Sequence, residues 1–127
     1  MAQGNCDNSV FHIDELVVDG IPIKIEESSA TVSGLAGFEN EIVVTAGDDD
    51  DAVSRKKVAR IIKAKAVIND PAVIEGWSMY CNASLTLRDT HSGKRIHFSK
   101  ASFMKLGDVG GKSVDFEMAG ISKPIYL

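Results

Sequence analysis

The chain has 127 residues, 44% of them hydrophobic, which suits one domain with a packed core and not two. No window approaches the run of about 20 apolar residues that spans a bilayer, and the first ten residues carry neither a basic leader nor an apolar signal core. A soluble chain made in the cytoplasm, without membrane insertion, is therefore expected. The formal charge of −4 hides a division: residues 1 to 51 hold twelve acids against one base, Lys24, a balance of −11, whereas residues 52 to 127 hold thirteen Lys or Arg against six acids, a balance of +7. Either the halves neutralise each other within the fold, or an acidic face meets the basic face of another copy, head to tail.

Residues 1–9 are small and polar and read as a flexible arm, with a single domain over 10–127. From Val10 to Val18, Phe11 and Ile13 alternate with His12 and Asp14, and Asp19-Gly20 is a hairpin turn leading into Ile21, Ile23 and Ile25. Pro22 puts that second strand at an edge or near its own start. The pattern weakens from Ser28 to Ala46, where a long hairpin is one reading. Gly47 and the four aspartates Asp48, Asp49, Asp50 and Asp51 form the most hydrophilic stretch, followed at once by Arg55, Lys56 and Lys57. Charge this dense resists packing, so an exposed loop is expected, ordered by a partner.

Ile62, Ala64, Ala66 and Ile68 alternate with Lys63, Lys65 and Val67 as in a strand. Asp70-Pro71 reads as a helix start, with Val73, Ile74 and Trp77 on one apolar face. Met79, Cys81, Ala83, Leu85 and Leu87 then alternate with polar residues, and the turn Asp89 to Gly93 leads to a strand with Ile96 and Phe98 on one side. After the loop Gly107 to Gly111, a last strand places Val114, Phe116 and Met118 inward and Asp115 and Glu117 outward. Six or seven strands and one short helix predict a mainly β fold, a small antiparallel barrel or sandwich with one short α-helix and a long charged loop.

Chemical constellations are wanting. The aspartate run lacks the spaced oxygens, central glycine and twelfth-position glutamate of a calcium loop, since the twelfth residue from Asp48 is Ala59. Cys6 and Cys81 make no CxxC pair and have no zinc-type spacing with His12, His91 or His97. Cys81 is expected buried and inert on its strand. No serine lies in GxSxG, and Gly107 to Lys112 fits neither a Walker A loop nor GxGxxG. Neither an enzyme nor a cofactor is expected. The basic cluster Arg55, Lys56, Lys57, Arg60, Lys63 and Lys65 is the best case for phosphate contact, but the sequence pI near 5.3 and the lack of interleaved aromatics favour an acidic protein partner.

In its succession of elements the chain resembles the tail-tube proteins of contractile-tailed bacteriophages. The matching parts are the Val18-Asp19-Gly20 hairpin, the charged segment of about 34–57, the passage from Arg60 through Asp70-Pro71 to Leu87, the Asp89 to Gly93 turn followed by a strand into Ala101-Ser102-Phe103, and the strand Val114 to Gly120. The resemblance implies a structural virion protein, assembled in the host cytoplasm into stacked hexameric rings that form a conduit for DNA ejection. Its implied partners are further copies of itself, a sheath protein, baseplate and terminator proteins, and genomic DNA that passes without specific binding. It also implies that Asp48, Asp49, Asp50, Asp51, Arg55, Lys56 and Lys57 belong to an inter-subunit contact loop.

A channel that lets DNA slide should repel phosphate, which makes Glu26, Asp115 and Glu117 on polar strand faces the lumen candidates. Lys24 shares the face of Glu26 and works against that assignment. Cys6, on a flexible arm, is the candidate for an intermolecular disulfide once the particle leaves the reducing cytoplasm. The tube of a tailocin or a secretion-type injection machine would show the same pattern. A small β-barrel ligand-binding module, with Trp77 and Tyr80 stacking on carbohydrate, is the rival of another class, and a barrel enzyme using His97 is a third.

Overall fold

The computed structural model describes residues 10–127, and their regular structure is mainly β-strand. In chain order the elements are β1 (Glu15–Val18), β2 (Ile21–Ile23), β3 (Thr31–Ser33), β4 (Phe38–Val43), β5 (Ala52–Lys57), β6 (Arg60–Ala66), α1 (Val73–Trp77), β7 (Ala83–Arg88), β8 (Arg95–Leu106), β9 (Val114–Gly120) and β10 (Ile125–Tyr126). The short helix and the antiparallel sheets are as expected from sequence. The strand count is higher, because β3, the β4–β5 pair and β10 carry no clean apolar alternation.

Asp19 and Gly20 both have positive φ, 50° and 80°, and they join β1 to β2 in a two-residue turn whose twist matches the strands it connects. One eight-stranded antiparallel sheet follows the order β2-β1-β7-β8-β9-β6-β3, with β10 on β8. The chain leaving β2 then crosses to β6: Ile25 bridges Ala66, the Glu26 N–H donates to Lys65 O at 2.9 Å, and the Val67 N–H donates to Lys24 O at 2.8 Å. The sheet therefore curls over its own core in a sandwich-like arrangement, and Pro22 sits on an edge strand as its missing N–H requires.

The inner face holds Leu16 and Val18 of β1, Ile62 of β6, Leu85 and Leu87 of β7, Phe98 of β8, and Phe116 and Met118 of β9, all fully buried. Each is one phase of a period-2 strand, so the alternation read from sequence is the core itself. Trp77 closes the core from α1, its ring 5.0 Å from that of Phe116 at 71°, an edge-to-face pair. Asp70 caps the turn ahead of α1, its carboxylate accepting from Ala72 N–H at 3.0 Å, so the assigned helix starts later than the Asp70-Pro71 signal suggests.

Two expectations are corrected here. Cys81 is exposed, and Met79 is also exposed, because α1 ends in a turn and β7 begins only at Ala83. Asn82, with φ 57°, breaks the extended backbone just where the sequence alternation runs on.

Asp89 is the one buried charged group among the described residues. Burial raises its carboxyl, but N–H groups of His12, Ser92 and His91 donate to it and hold it below the ordinary aspartate value of 3.8. It locks the β7–β8 turn and the entry of β1 in place.

Candidate functional site

The segment expected as a charged loop is instead a free-standing β-hairpin. β4 and β5 pair only with each other, in register from Phe38↔Lys57 to Val43↔Ala52, and every residue of both strands is exposed. Neither strand shows the one-sided burial that gives period-2 alternation. That is why the sequence reads as a loop.

The root of this arm is built on glycine. Gly34 has φ +74°, and a Cβ placed there would stand 2.1 Å from the carbonyl oxygen of Ala59, so any side chain would push the arm off β6. Gly37 N–H donates to Gly34 O at 2.9 Å and Val58 N–H to Gly37 O at 3.0 Å, which closes the base. Beside it lies the Arg60 side chain, whose buried Nε has no hydrogen-bond partner among the described residues.

Directly opposed residues share a face, so Phe38, Asn40 and Ile42 lie with Lys57, Arg55 and Val53 on one side, and Glu39, Glu41 and Val43 with Lys56, Ser54 and Ala52 on the other. Arg55 stacks over Phe38 at 3.9 Å from the ring centroid, a contact worth about 0.5–1 kcal/mol at an exposed site. Farther out, Ile42, Val44 and Val53 are 59%, 78% and 62% exposed and form an apolar stripe facing water. At the tip, Thr45 donates its hydroxyl to the carbonyls of Asp49 and Asp50, both at 3.1 Å, and its N–H to Asp51 Oδ1 at 3.2 Å. No cation lies within ion-pair distance of Asp48, Asp49, Asp50 or Asp51 among the described residues. The arm thus carries an acidic tip, an apolar middle and a basic root at Arg55, Lys56 and Lys57.

Such a hairpin has little to hold it. Isolated two-stranded ribbons are marginal in water, and its cross-strand pairs contribute about 0.2–1 kcal/mol each. A lasting conformation calls for a surface to cover the stripe.

The other carboxylates singled out from sequence gather in one place, on the outer face of β6 and β9. Lys63 opposes Glu117 and Lys65 opposes Asp115 in register. Glu117 lies 4.0 Å from Lys63 Nζ and 3.5 Å from Lys105 Nζ. These side chains line an open groove of about 550 Å³. Glu26, next to it, accepts from the Ser113 hydroxyl and pairs with Lys112 at 3.5 Å. The Ser113 bond, against some desolvation and with help from Lys112, lowers its carboxyl below the usual glutamate range. The face is therefore one of mixed charge, with Glu26 and Glu117 in ion pairs with lysines and Asp115 set opposite Lys65 in register.

Of the two readings of the divided charge, neutralisation within the fold is seen in part. Glu15–Arg88 at 3.5 Å and Glu26–Lys112 neutralise across the halves within the fold, whereas the four tip aspartates take part in no such pair among the described residues.

Of the residues weighed for other functions, Trp77 is buried against Phe116 and offers no face to a sugar. Tyr80 packs half-buried against the core, and that burial, with Asp19 nearby, raises its phenol. His97 is half-buried with Nδ1 2.9 Å from the Thr86 hydroxyl. Among the described residues no carboxylate hydrogen-bonds or ion-pairs with it. Cys6 and the arm 1–9 lie outside the described residues. Among the described residues no cluster of His, Cys, Asp and Glu could hold a metal ion, and no helix is long and apolar enough to cross a membrane. No family model matches the chain, and no curated protein matches it.

Proposed function

We propose that this chain is a self-assembling structural subunit of the tail-tube kind, non-enzymatic, stacking as rings into a conduit for DNA. The observation that carries the reading is the β4–β5 arm, a hairpin with its whole surface in water and an apolar stripe between oppositely charged ends. A lone domain gains nothing from such an arm, but a neighbouring copy gives the stripe a cover and the charges partners. Short edge strands at β2, β3 and β10 offer further joints between copies by strand addition.

In a tube, Glu26, Asp115 and Glu117 are the channel candidates, sharing one polar face whose lysines keep it close to neutral. Those lysines offset the repulsion of phosphate that makes carboxylates suitable for such a wall, and so work against the assignment as Lys24 does. Cys6 is the candidate for a disulfide between chains. The tube of a tailocin or secretion-type machine fits the same features, and so would its sheath, baseplate and terminator partners.

Negative-stain electron microscopy of the purified chain at rising concentration tests the reading. Rings and stacked tubes are expected. Isolated particles of monomer size at every concentration would refute it.

A further inference from the structure

The arm needs a receptor, and the outer face of β7 and β8 has the complementary chemistry. In the registers of this fold, charged residues that face each other across strands are of opposite sign: Glu15↔Arg88, Glu39↔Lys56, Lys63↔Glu117, Lys65↔Asp115 and Lys105↔Glu117. One pair breaks the pattern. Arg88 directly opposes Arg95, a like-charge juxtaposition that works against the sheet. Glu15 answers Arg88 at 3.5 Å, but Arg95 is exposed and has no ion-pair partner among the described residues.

The surroundings of Arg95 are apolar on one side. Leu127 pairs with it through two backbone hydrogen bonds of 2.9 Å, and Ile125 lies opposite His97 one step on. Directly opposed residues point to the same face, so Ile125 and Leu127, 48% and 59% exposed, flank the arginines on that surface. The patch therefore reads as a guanidinium pair beside two uncovered aliphatic side chains. The arm presents the same sequence of chemistry with the sign reversed: carboxylates at the tip, then Val44, Ile42 and Val53.

We infer that the Arg88–Arg95 patch of one copy is the docking site for the Asp48–Asp51 tip of a second copy, with the apolar stripe of the arm settling on Ile125 and Leu127. This rests on the reading of the chain as a self-assembling subunit. Guanidinium groups suit the role because they bind carboxylates in a fixed two-point geometry. The contact joins the acidic first part of one chain to the basic second part of the next, so it is heterologous and repeats.

A charge-reversal cycle on the full chain tests it, read by sedimentation at low and high salt. Arg95 is exposed, and Arg95→Glu, which also removes the Arg88–Arg95 repulsion, is expected not to lower the thermal melt while weakening self-association at least tenfold. The pair Asp49→Arg and Asp50→Arg is expected to weaken it similarly. Combining all three in one chain should restore most of the association, and added salt should weaken the unmodified chain. Association of Arg95→Glu equal to the unmodified chain overturns the inference, as does a triple variant no better than the single changes. If Arg95→Glu instead abolishes binding to a short DNA duplex while self-association persists, the patch is a phosphate site and the inference fails. An unmodified chain that never associates refutes the assembly reading itself. An arm variant that abolishes association while Arg95→Glu leaves it intact sinks only the choice of receptor.

Discussion

Replacing Ile42 and Val53 together by aspartate is expected to abolish ring and tube formation while shifting the melting temperature by no more than about 3 °C, as for substitutions outside a core. The two side chains oppose each other on β4 and β5 and lie outside the core of the main sheet. Removing them opens no cavity. In an assembly, however, the same positions would lie at a covered apolar contact, where two buried carboxylates without partners are prohibitive. The separation of the two readouts is the diagnostic part, since a variant that loses assembly by unfolding would lose both. Sedimentation beside a thermal melt checks it.

Phe98→Ala is expected to lower stability by about 3–5 kcal/mol, the cost of a large aromatic cavity in a close-packed core. Phe98 is fully buried, and its ring lies over Gly120, where an added Cβ would stand 2.6 Å from Cε1 and 2.7 Å from Cδ1. Gly120 is opposed by Ala101 of β8 on one side and Arg60 of β6 on the other, so the ring occupies space that the strands cannot widen to release. Gly120→Ala should accordingly cost about 1–3 kcal/mol through overpacking. Shortening the ring relieves that clash: Gly120→Ala added to Phe98→Leu should cost clearly less than the sum of the two alone. Urea unfolding of the four proteins measures the coupling, and strict additivity would show that the ring and the glycine do not share one space.

The sheet was legible in the sequence wherever one strand face meets the core. Ile62-Ala64-Ala66, Leu85-Leu87, Ile96-Phe98 and Val114-Phe116-Met118 announce themselves because burial imposes the period of two, and Asp19-Gly20 because a tight turn imposes positive φ. Where no face is buried the signal disappears. Glu39, Glu41, Ser54 and Lys56 sit on strands as regular as any, yet water on both sides leaves their order free, so the arm looked like a loop. Cys81 failed for the opposite reason, since apolar alternation ran two steps beyond the strand into a turn fixed by Asn82. The candidate site was only partly readable. The acidic and basic runs at its two ends were plain in composition, but the opposition of Arg88 and Arg95 exists only through the β7–β8 register, which no local pattern encodes.

Amide hydrogen exchange on the hairpin tests the central claim most directly, because exchange reports local opening residue by residue. In dilute solution the amides of 38–57 should exchange with almost no protection while those of β7, β8 and β9 remain slow. On assembly at high concentration the amides of 38–57 should become protected together. An arm as protected as the core in the dilute chain, or one still unprotected in the assembled form, would contradict the assignment of β4 and β5 as the joint between copies.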